Sequence, residues 1–512
     1  MKKYILLSIL GLGLTSQAQD MSDALRFAQT NINGTARYRA MGGAFTALGG
    51  DLSSIALNPA SSSVFHNNQF GVTLGTFNVK NESNYFGTTA KKTELAFDLS
   101  QLGAVFVFQN DDEESDWKKL ALGISYDNQG SFANNSLSKG INTSSIDRYF
   151  LAQADGVRLD LLQTLPGESI GSLYTYLGEN YDNRYQTALL GYQSYILEAT
   201  DNNLNNASYY SNVPAGSFEH YNYLTESGYN SKLAFNISTQ YSDKFYFGMN
   251  LNLHAVDYTR TQTFYELNDN AANTDGETVR EIHYQTDLYT YGTGFSFQLG
   301  AIAKVTPEFR LGFSYESPTW YRLNDELIQR ISTRRVDIAN PNGALNNFYF
   351  NDNILNIFPV YKLQTPGKYS FGGAYVFGSR GLISVDYALK DYSSTMFRPK
   401  NNRYYSDQND IMAEVLDLTS EVRIGAEIKE KKWSFRGGYN YEQSPFKNGK
   451  TIGDLQQFSF GIGHNFGSTK LDLAYSRAQR EYNQPTFNAG LTDAAKIEKT
   501  TSNIFLTLLF EF

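Results

Sequence analysis

Phe245-Tyr246-Phe247-Gly248-Met249-Asn250-Leu251-Asn252-Leu253-His254 carries a large apolar side chain on every second residue. Phe245, Phe247, Met249, Leu251 and Leu253 fall on one face of an extended chain, and Tyr246, Gly248, Asn250, Asn252 and His254 on the other. A period of two marks a β-strand with one apolar and one polar face. The same rhythm sets Phe309, Leu311, Phe313 and Tyr315 against Arg310, Gly312, Ser314 and Glu316. It returns in Tyr369, Phe371, Tyr375 and Phe377, in Ile383, Val385, Tyr387 and Leu389, and in Trp433, Phe435, Tyr439 and Tyr441.

A soluble sandwich also alternates, so the connections decide. Tyr241-Ser242-Asp243-Lys244, Thr306-Pro307-Glu308, Gly378-Ser379-Arg380-Gly381, Glu430-Lys431 and Gly467-Ser468-Thr469 are tight turns. Between them lie long polar stretches at roughly 265–282, 325–361, 395–418, 444–455 and 482–500. Strict alternation of short and long is the pattern of an outer-membrane barrel, with periplasmic turns and extracellular loops. Further strands near 69–80, 93–109, 118–129 and 231–240 bring the expected count to about fourteen, an even number as bacterial single-chain barrels have. Ile504, Leu506, Leu508, Phe510 and Phe512 close the chain on one face. That ending resembles the C-terminal signal read by barrel-assembly machinery, which makes the machinery an expected partner in biogenesis.

The totals agree. Aromatics make up 15% of the 512 residues, yet mean hydropathy is −0.42. Barrels combine these because aromatics girdle both interfaces while the other strand face is wet. No stretch reaches the roughly 20 apolar residues of a transmembrane helix, so a membrane form must be a barrel. The net charge of −9 argues against nucleic acid as a partner, since phosphate needs a basic surface. With Cys 0, disulfides, thiolate metal sites and cysteine nucleophiles are excluded. Lys2, Lys3, the apolar run Tyr4–Leu14 and Ser16-Gln17-Ala18 read as a signal peptide over 1–18, removed after Ala18. The reading is therefore a Gram-negative outer-membrane barrel, over 69–512, expected to be monomeric because a closed barrel has no edges.

Two regions stand outside the strands. Residues 19–68 are rich in Gly, Ala, Ser and Asn with little alternation. Residues 130–230 form a long insertion with helix-spaced apolar sets such as Tyr185, Leu189, Tyr192 and Ile196. About a hundred structureless residues do not suit a compact protein, so a partly helical extracellular cap is expected, packed over the barrel mouth or lying on lipid.

The segment Ala36-Arg37-Tyr38-Arg39-Ala40-Met41-Gly42-Gly43-Ala44-Phe45-Thr46-Ala47-Leu48-Gly49-Gly50-Asp51, followed by Asn58-Pro59-Ala60, resembles the N-terminal hatch of the long-chain fatty-acid transporter family of outer membranes, the FadL/TodX group. Gly312–Pro318, Val385-Asp386-Tyr387, Arg423–Glu427, Arg436–Tyr439, Ser444-Pro445-Phe446 and Leu471–Ser476 extend the resemblance through most strands but not through 130–230. It implies a fourteen-stranded barrel plugged by its own N-terminus (19–68), passing long-chain fatty acids or other small hydrophobic molecules by facilitated diffusion, with sideways release into the membrane in some members. Extended carbohydrate bars apolar molecules from the outer leaflet, and an apolar groove among loops collects them by the hydrophobic effect. The resemblance places Gly42, Gly43, Gly49, Gly50, Asn58, Pro59 and Ala60 in the hatch. Asn58-Pro59 initiates a turn, which anchors the plug, gates it, or does both. Paired glycines let the plug backbone turn tightly or approach the wall.

Other uses stay open. The ligand is alternatively an aromatic hydrocarbon or haem, although no paired axial-ligand motif is visible. Alternatively the barrel displays its large loop as an adhesin or phage receptor. His66, His220, His254, His283 and His464 lack metal-ligand spacing, and no Ser sits in a nucleophile motif, so no enzyme, metal or cofactor is expected; only a Ser/His pair at lumen-facing His254 keeps a hydrolase in view. The run Asp111, Asp112, Glu113, Glu114 and Asp116 lacks EF-hand spacing and reads as a solvated turn. Inward Arg310, Arg423, Arg436, Asp386, Glu427 and Asp472 are expected to pair across strands, and an inward Arg or Lys suits a carboxylate ligand.

Overall fold

The computed structural model describes residues 21–112, 114–274, 277–337 and 346–512; the signal-peptide reading over 1–18 and Glu113 lie outside the described residues. Fourteen antiparallel strands close on themselves. They are β1 (Gln69–Tyr85), β2 (Thr88–Gln109), β3 (Trp117–Ser131), β4 (Phe218–Tyr241), β5 (Phe245–Leu267), β6 (Glu277–Lys304) and β7 (Phe309–Glu316). The circuit continues through β8 (Lys368–Val376), β9 (Gly381–Asp391), β10 (Leu418–Glu430), β11 (Trp433–Glu442), β12 (Ile452–Asn465), β13 (Thr469–Pro485) and β14 (Ala494–Glu511). Each pairs with the next, and β14 pairs back with β1. The opening stretch behaves as its alternation predicts: Phe247 is 45% exposed on the outer face while Asn250 and Asn252 are fully buried inside.

Strands run further than alternation shows. β5 reaches Leu267, β6 starts at Glu277, and beyond the break at Ser317-Pro318-Thr319 a strand from Trp320 to Asp337 pairs with upper β6. Much of 265–282 and 325–361, expected as irregular loop, is therefore ribbon. Above the lipid neither face needs apolar residues, so the two-residue signal fades while backbone pairing continues. β4 likewise begins at Phe218, so the end of the 130–230 stretch is wall. The long-loop end has one tight turn, Phe86-Gly87, with both residues at positive φ, as a two-residue hairpin requires.

Among the described residues the ladder between β2 and β3 is interrupted. β1 and β2 pair up to Tyr85↔Thr88, but β2 and β3 pair only from Gln101↔Asp127 down to Gln109↔Lys119. Thr88–Ser100 of β2 thus has a ladder on the β1 side alone. Asn128–Ser131 of β3 keeps only the ladder with β4 that runs the length of its other side, and an inner strand, Asn134–Asn142, pairs with β4 as well. Side chains span the interruption: Asn128 Nδ2 donates to the Asp98 carboxylate, and Asn81 Nδ2 of β1 donates to the Asn135 carbonyl at 2.7 Å.

Inside lie α1 (Met21–Ala28), α2 (Ala36–Ala40) and two 3-10 turns, Leu52–Ala56 and Pro59–Val64. Small residues suit this packing, with Ala36, Ala40, Ala44 and Ala47 fully buried. Over the mouth sit α3 (Asp147–Ala154), α4 (Ile170–Asn180) and α5 (Asn183–Gln193). Their buried Phe150, Tyr174, Leu177 and Leu189 share one core with Phe264 of β5 and Tyr284 of β6, so the cap packs on the barrel's own ribbons. In the stretch 395–418, expected as a polar loop, α6 (Arg403–Val415) turns Tyr405 and Met412 onto Leu25 and Phe27 of α1.

Candidate functional site

The hatch meets the wall backbone to backbone. Gly42, Gly43, Gly49 and Gly50 all take positive φ, which L side chains rarely adopt. Gly42 also lies flat on the wall: a Cβ built on Gly438 of β11 would stand 2.2 Å from its amide nitrogen. The wall supplies glycines in cross-strand pairs, Gly248↔Gly300, Gly312↔Gly372 and Gly425↔Gly438, each with hatch backbone or side chain against it. Glycine inside a strand marks such close approach. The wall glycines belong to the site as much as the hatch glycines, and their signal in the sequence is an inward position where a side chain is due.

Asn58 ties the two together. Its side chain caps the turn that follows, accepting from the Ala60 amide at 3.1 Å, with Pro59 in the first turn position. Its Nδ2 donates to the Thr46 carbonyl at 2.7 Å and faces the Ala301 and Phe313 carbonyls of β6 and β7 at 3.2 and 3.3 Å. A fully buried amide needs such partners. Around it residues 52–64 are held mostly by neutral groups, Asn250 Nδ2 donating to the Ile55 carbonyl (2.8 Å), Asn236 Nδ2 to the Pro59 carbonyl (2.9 Å) and Ser314 Oγ to the Leu57 carbonyl (2.7 Å), with the Lys232 ammonium on the Ala56 carbonyl (3.0 Å).

The other side of the hatch is held by charge. Arg37 Nε donates to Glu427 at 2.9 Å, and Glu427 also takes Arg436 at 2.6 Å, which reaches on to Asp472 at 2.5 Å. Of the six inward charges singled out from sequence, Glu427, Arg436 and Asp472 thus pair across strands, and Arg423 pairs with Glu421 of its own strand at 2.6 Å. Asp386 and Arg310 instead bind the hatch: Asp386 accepts from the Thr46 amide and hydroxyl at 2.9 and 2.7 Å, and Arg310 donates to the Leu48 carbonyl at 3.0 Å. Arg39 stacks on Phe505, 3.5 Å from the ring centroid, and its burial lowers the guanidinium's pKa well below the ordinary value. Burial pushes the Asp51 carboxyl up, opposed by Arg37.

A cavity of about 100 Å³ lies in the lumen between hatch and wall, lined by both polar and apolar groups. Phe27, Ile32, Leu57 and Tyr321 line it together with Lys232, Glu316, Lys368, Lys390 and Arg423. It reaches Asn31, Asp127 and Gln129, where the β2–β3 ladder stops; the Asn31 amide donates to the Gln129 carbonyl there at 3.0 Å. Lys232, Lys368 and α1 escaped sequence reasoning because nothing in the local pattern marks a residue as cavity lining.

His254 does meet a serine, with Nε2 2.9 Å from Ser296 Oγ. Its Nδ1 has no hydrogen-bond partner and Ser296 is fully buried, so the orienting third group of a hydrolase is missing. Among the described residues no group of His, Asp and Glu is placed to hold a metal ion.

In fold the chain is similar to the crystal structure of a Pseudomonas aeruginosa FadL homologue, at 13% identity and TM-score 0.53 over 94% of this chain and 99% of that one. It is similar also to the P. putida toluene transporter TodX, at 14% identity and TM-score 0.50 over 94% and 99%. No curated protein matches it. The family model described as outer membrane protein transport protein (OMPP1/FadL/TodX) matches residues 198–510, more than half of the chain. The chain therefore belongs to that family of Gram-negative outer-membrane transporters of hydrophobic substrates, transport channels rather than enzymes.

Proposed function

We propose that this protein admits long-chain fatty acids or chemically similar amphiphiles across the outer membrane, as a monomer, through a lumen gated by its hatch. The observation that carries this reading is the lumen cavity abutting the interrupted β2–β3 wall. A ligand reaching the cavity past the cap has the hatch below it and, beside it, a stretch of wall without ladder hydrogen bonds. On the outside that stretch presents Leu95 and Phe97, 68% and 70% exposed, so an apolar tail passing there enters lipid without crossing water. The hatch side supports gating: polar bonds to the wall can be exchanged for bonds to water, whereas a covalent or apolar plug has no such route. Folding through the barrel-assembly machinery fits the outward Ile504, Leu506 and Phe510 of the last strand.

The test is uptake of labelled oleate, beside a small sugar, by cells lacking their own transporter. Oleate entry without added sugar entry is expected; sugar entry, or neither from verified folded protein, overturns the reading. Because the chain has Cys 0, Asp98→Cys with Asn128→Cys closes the interruption cleanly. Oxidation is expected to stop oleate entry and reduction to restore it. If the cross-link forms and entry is unchanged, sideways exit is wrong. Deleting cap residues 147–213 separates transport from display: uptake unchanged with surface binding lost assigns the cap to display.

A further inference from the structure

We propose that the outer face of the barrel binds a phosphorylated head group of the outer-leaflet glycolipid through Arg322, Lys362 and Arg398. The site faces away from the lumen and is independent of whatever the lumen passes.

The three residues form one row. Arg322 of the Trp320–Asp337 ribbon stands directly opposite Lys362 of the strand Tyr361–Gln364, and Lys362 directly opposite Arg398 of the strand Met396–Arg398. Their chain neighbours Tyr321, Leu323, Tyr361, Leu363 and Phe397 are buried on the inner side, so all three cations point outward. Like charges directly opposite one another destabilise a strand pair, and two such pairs share Lys362. Among the described residues none of the three has an ion pair, and the side chains of Arg322 and Lys362 have no hydrogen-bond partner. Arg398 donates to the neutral Gln364 Oε1, from Nη2 at 2.8 Å and Nε at 3.2 Å. The nearest carboxylates along the ribbon are engaged elsewhere. Glu326, on the same face, takes the Tyr291 hydroxyl at 3.4 Å, and Asp325, on the inner face, accepts from Thr290 Oγ1 at 2.7 Å. Other outward cations carry a carboxylate: Lys91 meets Glu82 at 2.9 Å, Arg334 meets Glu281 at 2.6 Å, and Arg330 meets Asp287.

Register sets the height of the row. Leu253 is the last of the alternating apolar residues on the outer face of β5; it pairs with Phe295 of β6, which pairs with Trp320. The Phe295 and Trp320 rings stack with centroids 6.5 Å apart, and such aromatics mark the membrane interface. One outward step higher, Ala255 pairs with Thr293, and Thr293 with Arg322. The apolar band ends at this step, and the cations start at the level of the lipid head groups.

A phosphate ester supplies what the row lacks. Guanidinium forks grip its oxygens in pairs, and the ammonium between them adds a point charge. Neighbouring strands lie about 4.8 Å apart, so one phosphate can touch two adjacent cations. The acyl chains of the same molecule would lie below, on the exposed Leu253, Phe295 and Trp320, a gain that free phosphate cannot make. Cations at a membrane surface attract anionic lipid by this combination.

The experiment is binding of bisphosphorylated lipid A, of the same lipid without its phosphates, and of inorganic phosphate to the purified full-length protein in neutral detergent, titrated by native mass spectrometry. Wild type is expected to prefer the phosphorylated lipid by at least about tenfold, and the preference to shrink as salt screens the charges. Replacing all three residues with Gln is expected to abolish the preference while the barrel stays heat-modifiable. Lys362→Glu, which puts a carboxylate between the two guanidiniums, is expected to abolish it without loss of thermal stability. Arg477→Gln, at an outward cation of β13 that faces Phe458 and Ser502, is expected to keep it. A wild type that does not discriminate, a preference that survives either charge-removing variant, or equal loss in Arg477→Gln overturns the site. Inorganic phosphate that displaces the lipid at equal concentration overturns the lipid assignment in favour of a free-phosphate site.

Discussion

The cap and the hatch both lie off the barrel wall and both bury apolar side chains, Phe45, Leu48, Leu52 and Ile55 in the hatch, but they differ in how much polar bonding is added. The cap is fixed by apolar burial: Phe150, Tyr174, Leu177, Leu189, Leu190 and Ile196 form one core with Phe264, Tyr284 and Ile331 of the ribbons. The hatch from Thr35 to Val64 is fixed in addition by Asn58, Thr46 and Arg37, whose bonds run to the Ala301 and Phe313 carbonyls and to the Asp386 and Glu427 carboxylates of the wall. Water cannot replace apolar contacts, but it can replace a hydrogen bond at a net cost of about 0.5–1.5 kcal/mol. On the gating proposed above, the cap stays in place and the hatch is the part that moves.

The comparison breaks most visibly at the wall glycines. A Cβ on Gly300 would stand 2.0 Å from Asn58 Oδ1, and on Gly312 2.1 Å from the Thr46 carbonyl oxygen. Overpacking costs about 1–3 kcal/mol, and about 1.4 kcal/mol changes a population tenfold. Gly300→Val is therefore expected to leave a heat-modifiable barrel in the membrane, displace the hatch and raise small-sugar entry about tenfold. Assembled barrel with sugar entry at the wild-type level would mean that the hatch yields locally instead of leaving the lumen.

The cap gives the converse effect. Leu189→Ala removes a fully buried side chain from the cap core, a change worth about 2–5 kcal/mol. Limited proteolysis is expected to nick 147–213 faster, while sugar entry stays at the wild-type level because the hatch bonds are elsewhere. Increased sugar entry in Leu189→Ala would show that cap and hatch form one barrier.

How much of this was legible in the sequence depends on what each residue faces. The strands were readable where one face meets lipid, since Phe245, Leu251, Phe371 and Ile504 have no polar alternative there. Above the lipid the constraint ends, so 325–337 of the Trp320–Asp337 ribbon carries the polar pattern of a loop. α6 was missed because its buried residues, Tyr404, Tyr405, Gln408 and Met412, give too sparse an apolar stripe. The hatch motif was legible as a pattern, and its glycines do carry the positive φ. Its receptor was not: Gly248, Gly300, Gly312 and Gly372 become a surface only when the register sets them opposite one another, and register depends on the whole wall. Lys390 could be placed on the inner face from alternation alone, but its bond to Ala28 spans 362 positions of chain.

The smallest effect is expected at the motif itself, and it bears most directly on gating. Asn58-Pro59 replaced by Ala-Ala removes the cap on the Ala60 amide and the donor to the Thr46 carbonyl. A lost helix cap costs about 1 kcal/mol, and each lost hydrogen bond about 0.5–1.5 kcal/mol. Both contacts lie inside the lumen, whereas the ladders that close the barrel run between strands and are untouched. The variant is therefore expected to assemble as heat-modifiable barrel at nearly the wild-type level while oleate uptake shifts about threefold to tenfold, the range that these energies imply. An increase would mean that Asn58 holds the hatch shut; a decrease, that it holds the hatch in the shape that accepts ligand. Loss of assembled barrel in proportion to uptake would reduce the motif to an anchor, and the mobile part of the gate would then lie at α1, whose end is held by Lys390.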